Sequence, residues 1–355
     1  MEDGNGAGGY GVEQSGDVPV DAPVGCPGTE SSHAGKAATC VGCPNQAMCA
    51  SGEAKGVVDS DQALIAERLG ASQVRRKILV MSGKGGVGKS TFAAQFAFAL
   101  AAGSGDGDDV KDGHEVGILD ADLCGPSIPR LLGVEGQEVR MSRFGWQPVL
   151  AQENLAVMSA GFLIGSHNDA LIWRGARKTG LIKQLLRDVD WGYLDYLIVD
   201  TPPGTSDEHI TVVQSMKEAG IDGALIVTTP QEVSLLDVRK ELTFCAKAGV
   251  RVLGVIENMS GFVCPSCSTC TEIFPPRNAD AVQRMCQELL VPYLGKVPLD
   301  PRISFSSELG RSVFIDGASS ESVQAIRSIL TSVVRALTRN GDRPESGTNE
   351  TDQHT

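Results

Sequence analysis

The sequence predicts an α/β fold, a mostly parallel sheet with helices on both faces and a phosphate-binding loop at one edge. Three observations point there. Short apolar runs without polar–apolar alternation recur through the middle of the chain, with helical stretches between them. A glycine-rich loop carrying two lysines stands directly after the first run, and aspartates close two of the later ones. Runs of this kind are expected of parallel strands, which are covered on both faces and so have no solvent side to mark with polar residues.

The clearest runs are Lys77–Ser82, Val116–Asp120, Tyr196–Asp200, Ala224–Thr228 and Val250–Ile256, with Leu294–Pro298 a further candidate. No internal repeat is present, so one α/β domain over about residues 76–335 is expected. Residues 1–25 are rich in Gly, Asp and Glu and are expected to be disordered. Residues 26–50 hold four cysteines and little that could form a core. Residues 51–75 read as a linker with one short helix around Asp61–Leu69, and residues 336–355 as a disordered tail.

The 355 residues are 41% hydrophobic, enough for one large core. Lys+Arg number 31 against 44 Asp+Glu, a net charge of −13 without basic blocks, which argues against nucleic acid as a partner. No apolar run approaches the roughly 18 residues of a membrane span. The opening stretch MEDGNGAGGYGVEQSGD lacks the basic and apolar regions of a secretory signal, so a cytoplasmic protein is expected. In that compartment ten cysteines favour metal or cluster ligation over disulfides where their spacing is short. Cys124, Cys245 and Cys286 stand apart from such spacings and are expected as small buried apolar side chains.

The loop after the first run is Gly83, Lys84, Gly85, Gly86, Val87, Gly88, Lys89, Ser90 and Thr91, a complete match to G-x-x-x-x-G-K-S/T. Its glycines let successive backbone N–H groups turn inward around phosphate oxygens, and the following helix points its positive end at them. Lys89 is expected at the β- and γ-phosphates of ATP and Ser90 on Mg²⁺. Of the carboxylates on the same edge, Asp200 is the candidate to hold Mg²⁺ through water and Asp122 the candidate to position the attacking water. Asp120 reads equally well as a helix cap. Gly204, after two prolines, suits a stiff switch that senses the γ-phosphate.

Two cysteine groups remain. Cys264 and Cys267 form a C-x2-C pair followed by Cys270. Two thiolates do not complete a four-ligand site, but two copies across a two-fold axis supply four. A zinc ribbon within one subunit would need a second ligand pair, and none follows. Cys26, Cys40, Cys43 and Cys49 could complete a site unaided, and spacing alone does not separate zinc from a 4Fe–4S cluster there.

Together, GKGGVGKST, DADLCGPSIP, the stretch Ile172-Trp-Arg-Gly175, VDTPPGTSDEH, ENMSGFVCPSC and VPLDP resemble the Mrp/NUBP family of iron–sulfur scaffold ATPases over essentially residues 26–335. The GKGGVGK form resembles the deviant Walker A (SIMIBI) class, in which the early lysine, here Lys84, reaches the partner subunit's nucleotide. The four-cysteine extension is similar to that of the larger eukaryotic cytosolic members. The resemblance implies 4Fe–4S clusters at both sites. One is stable on Cys26, Cys40, Cys43 and Cys49; the other is labile and bridges subunits through Cys264 and Cys267. It also implies weak ATP hydrolysis, a homodimer or a heterotetramer with a smaller homologous scaffold, and delivery to cytosolic and nuclear apoproteins through transfer factors. By the same resemblance Asn258 contacts the adenine base. Competing expectations are a partition or division-site ATPase, which would want a basic amphipathic C-terminus that this acidic, polar tail lacks, and an electron-transfer ATPase with a permanent cluster.

Overall fold

The computed structural model describes residues 23, 25–28, 31, 33–51, 60–103, 113–163, 175–264, 267, 269–273, 280–316 and 320–341. Most of the N-terminal stretch, most of the linker, the end of the tail and Ile172–Arg174 of the family-like stretch lie outside them. The chain divides into two compact units, Met1–Ser60 and Asp61–Thr355.

In the first unit a 3₁₀ turn at Ala38–Cys40 is followed by α1 (Gln46–Ser51). Backbone bonds from Cys40, Cys43 and Cys49 wind the three cysteines into consecutive turns. Gly35 has φ +70°, and a Cβ there would sit 2.4 Å from the Ala50 nitrogen, so the loop lies directly against α1.

The second unit opens with α2 (Ser60–Leu69), all but its first residue, and β1 (Val74–Met81). After α3 (Lys89–Ala101) come β2 (Val116–Asp120), α4 (Ile128–Leu131), the short strands β3 (Arg140–Ser142), β4 (Gly145–Gln147) and β5 (Val149–Gln152), and β6 (Leu155–Ser159). Next are α5 (Gly175–Asp188), β7 (Leu194–Asp200), α6 (Asp207–Met216), β8 (Gly223–Thr228), α7 (Glu232–Ala248) and β9 (Val252–Val263). The unit closes with β10 (Cys270–Thr271), α8 (Ala281–Glu288), β11 (Tyr293–Leu299), α9 (Pro301–Glu308), α10 (Val313–Asp316) and α11 (Glu321–Gly341).

Nine of the eleven strands form one sheet in the order β10-β9-β8-β1-β7-β2-β6-β5, with β11 also paired to β9. Within it all pairings are parallel except β5 with β6 and β10 with β9, and β3 and β4 pair antiparallel in a separate two-stranded sheet. Along β1, Ile78 and Val80 join the core on one face with Phe92 and Phe96 of α3, while Leu79 and Met81 join the core on the other. That division is why the run shows no alternation: each successive side chain meets a helix layer. α3 is buried almost throughout, which matches a helix apolar on every side.

All six expected runs are strands, with ends shifted by up to a few residues and β9 extended to Val263. β6 was not expected, and it extends the parallel sheet beside β2. The helix expected within the linker is α2, and its Ile65 and Leu69, one turn apart, are fully buried in the core. At the other end α11 runs past residue 335 to Gly341. Among the described residues no helix is long and apolar enough to cross a membrane.

Candidate functional site

β1, β2 and β7 are neighbours in the sheet, so their C-terminal ends deliver the glycine loop, Asp120 and Asp200 to one place. Gly86 and Gly88 take φ +79° and +83°, and added Cβ atoms at Gly85 and Gly86 would meet almost nothing within 4 Å. The loop is thus an open cradle of backbone ending at the N-terminus of α3, the arrangement that receives phosphate.

Below it Lys89 Nζ lies 2.6 Å from Asp200 Oδ1, and the Ser90 hydroxyl donates to Asp200 Oδ2 at 2.5 Å. Lys89 is 6% exposed and Asp200 not at all. An oxygen donor set of this kind, one hydroxyl beside one carboxylate, fits a hard cation such as Mg²⁺. Asp120 is Asp200's register partner on β2 and is equally buried. Burial, then the neighbouring Asp200 charge, pushes the Asp120 carboxyl up to about 8, while Lys89 opposes the rise. Asp120 accepts from the backbone of Asp122 and Ile128 and from the Ser159 hydroxyl. It therefore fixes the loop to α4, close to the capping role the sequence allowed.

Asp122, the candidate for the attacking water, turns its Oδ1 back onto the N–H groups of Cys124 and Gly125 at 3.2 Å. Gly204, φ +80°, donates its N–H to the Ser82 carbonyl at 2.8 Å, which ties the switch segment to the phosphate loop. Lys84 lies 3.3 Å from Asp237 of its own α7. A Cβ on Gly83 would sit 2.7 Å from the Asp237 backbone, so α7 packs directly beneath the loop. Asn258 donates to the Val87 carbonyl at 2.8 Å and so stands over the loop's middle.

His209 is a further group of this site to which the sequence assigned no role. It is fully buried, and its Nε2 is 3.0 Å from the Thr201 hydroxyl, which donates to the Val80 carbonyl. With the hydroxyl proton so engaged, Nε2 must carry the proton, leaving Nδ1 as an acceptor without a partner. Burial, then the Lys89 charge, lowers its pKa to about 4, so it is a neutral brace behind the switch. The only legible sign was its place in VDTPPGTSDEH.

The cysteines divide differently from expectation in one respect. Cys245 and Cys286 are buried, and burial pushes their thiols up to about 12 and about 11. Cys124 is exposed instead, with Lys178 Nζ 2.9 Å from its sulfur, because Leu123 takes the buried position in that turn. Cys264 and Cys267 sit in the turn from β9 to β10, where the Cys264 N–H donates to the Thr269 carbonyl. Hydrogen bonding, first from Thr269, lowers the Cys267 thiol. Cys270 is register-paired with Val263, so its backbone belongs to the ladder. In the first unit Cys49 is raised by burial and then by the charges of Cys26, Cys43 and Cys40, so the four thiols share one neighbourhood. Among the described residues no three Cys, His, Asp or Glu side chains converge closely enough to hold a metal ion within one chain.

The comparisons with known proteins follow this geometry. Residues 73–334 match the family described as ParA: NUBPL iron-transfer P-loop NTPase. The chain belongs to that family. A solved nucleotide-binding protein from Archaeoglobus fulgidus, in complex with ADP, is 38% identical, covers 71% of this chain and 92% of its own, and superposes with a TM-score of 0.58. The cell-division ATPase MinD from Pyrococcus furiosus, 23% identical with a TM-score of 0.51, covers 73% of this chain and 98% of its own. The likeness to MinD is one of fold. This iron-transfer NTPase is thus a SIMIBI-type P-loop protein whose phosphate loop, Asp200 and Asn258 meet at one sheet edge.

Proposed function

We propose that this NTPase is a scaffold that assembles 4Fe–4S clusters and hands them to cytosolic and nuclear apoproteins, as the larger eukaryotic cytosolic members with a four-cysteine extension do. The observation that carries the reading is the C-x2-C turn at the end of β9, the strand whose Asn258 is bonded to the phosphate loop. In this reading Gly83–Thr91 bind ATP and Mg²⁺, with Lys89 on the β- and γ-phosphates and Asn258 at the base. Lys84 leaves Asp237 to reach a partner subunit's nucleotide, and Asp122 turns to the attacking water. Cys264 and Cys267 from two subunits share a labile cluster, and Cys26, Cys40, Cys43 and Cys49 hold a stable one. The charges of Cys26, Cys43 and Cys40 act on Cys49, which supports a common site in the first unit. The assembly is a homodimer or a heterotetramer with a smaller homologous scaffold, acting in the cytoplasm on clients and transfer factors, with slow ATP hydrolysis.

The test is iron per subunit, with Mössbauer or EPR spectra, on anaerobically prepared protein. Cys264→Ala and Cys267→Ala should each abolish the labile cluster and leave the Cys26–Cys49 cluster intact, whereas Cys270→Ala should do much less. A labile cluster that survives loss of both Cys264 and Cys267 would sink the shared-cluster reading.

A further inference from the structure

Strand β9 carries a joint between the phosphate loop and the Cys264–Cys267 turn. At its loop end, Asn258 and Met259 are both seated on Gly88: a Cβ added there would fall 2.3 Å from Asn258 Nδ2 and 3.6 Å from Met259 Cε. Met259 has φ +56°, the left-handed region that a side chain other than glycine adopts only when its surroundings enforce it. Those surroundings are visible. The Glu257 carboxylate accepts the Ser260 hydroxyl at 2.7 Å, closing a bridge from one side of Met259 to the other. Its second oxygen accepts the Tyr293 hydroxyl at 2.8 Å from β11. The ladder between β9 and β11 slips across this segment: Val297 pairs with Asn258, but Leu299, two residues on, pairs with Phe262, four residues on. The surplus residues on β9 are the kink itself, which is the form of a bulge that re-aims a strand. Two residues past Phe262 comes Cys264.

We propose that Glu257 and Tyr293 are positioning residues that hold the Met259 kink, so that a change at the phosphate loop is passed along β9 to the Cys264–Cys267 turn. Nucleotide phosphates that draw the loop's N–H groups inward act on Val87 and Gly88, and therefore on Asn258 and Met259. A slack strand would absorb that displacement locally. A kink pinned on both sides by one carboxylate moves as a unit, and the turn beyond it moves too. Pinning by a partner strand, rather than by solvent, is what makes the joint stiff. The inference rests on the nucleotide and cysteine-turn roles proposed above, but its readout needs no cluster.

The experiment is alkylation of the reduced, cluster-free full chain by N-ethylmaleimide, resolved cysteine by cysteine by peptide mass spectrometry, with and without saturating Mg-ADP. In the wild type ADP should change the Cys264 or Cys267 rate by at least about fivefold, with Cys26 and Cys49 unaffected. Glu257→Gln keeps the shape of the side chain, and Tyr293→Phe removes one hydroxyl. Both variants should bind ADP as tightly as wild type and lose most of the change at Cys264 and Cys267. Wild-type protein that binds ADP with no change at either thiol overturns this inference alone. So do variants that keep the full response. Wild-type protein that binds no ADP overturns the nucleotide reading and this one with it.

Discussion

Lys89, Ser90 and Asp200 form a closed, nearly dry triangle at the base of the phosphate loop. In the proposed reading that lysine meets the β- and γ-phosphates, so Lys89→Ala should weaken ATP binding by at least about tenfold, or about 1.4 kcal/mol, measured by calorimetric titration. Lys84 answers differently. Its bond to Asp237 is half in solvent and holds nothing in the core, so Lys84→Ala should leave the thermal midpoint and most ATP binding intact. Hydrolysis should be lost, because the role assigned to Lys84 is exercised across subunits. Unchanged turnover in both variants would refute both roles.

On the scale of the element, α7 holds the least comfortable group of the described fold. Glu241 is fully buried, and neither of its carboxylate oxygens has a partner. Burial, then the Asp237 charge one turn away, pushes its pKa from the usual 4.5 up to about 8. Between those values the unfolded chain ionises while the folded one keeps the proton. The contribution of Glu241 to stability is therefore fullest below about pH 4.5, falls as pH rises toward about 8, and is steady beyond. Glu241→Met, of similar length and apolar, should raise the midpoint by at least about 3 °C at pH 8, and by clearly less at pH 5. A gain that shrinks with rising pH, or no gain, would show that the carboxyl finds a partner. Cys245, the next turn along, is buried with its sulfur 3.9 Å from Met81 Sδ.

Across the whole molecule, the division falls between Ser60 and Asp61, after the first residue of α2. Deleting residues 1–50 removes none of the described strands and should leave a cooperatively folded, nucleotide-binding domain while the stable cluster signal disappears. Deleting residues 1–73 also removes Ile65 and Leu69 from the core. Two large buried side chains lost together should cost at least about 4 kcal/mol, visible as a much lower denaturant midpoint. Equal midpoints for the two truncations would mean that α2 contributes nothing to the core.

Much of the fold and the nucleotide site could be read along the chain because their signals are local. A buried parallel strand is a short apolar run, a phosphate loop is nine consecutive residues, and Asp200 closes its own strand. β6 escaped notice because Leu155–Ser159 carries no motif and gains its place only by pairing with β2. Residues 51–75 read as a linker with one short helix because two apolar residues one turn apart are too weak a pattern without the surface they fill. The neutral state of His209, the exposure of Cys124, and the seating of Asn258 and Met259 on Gly88 depend on residues far apart in the chain. The sequence by itself determined which residues bring the chemistry: the glycine loop, the aspartates after strands, the cysteine pairs. Only the tertiary structure decided which of them touch, because burial and electrostatic coupling are properties of neighbours in space, and the order of strands in the sheet chooses those neighbours.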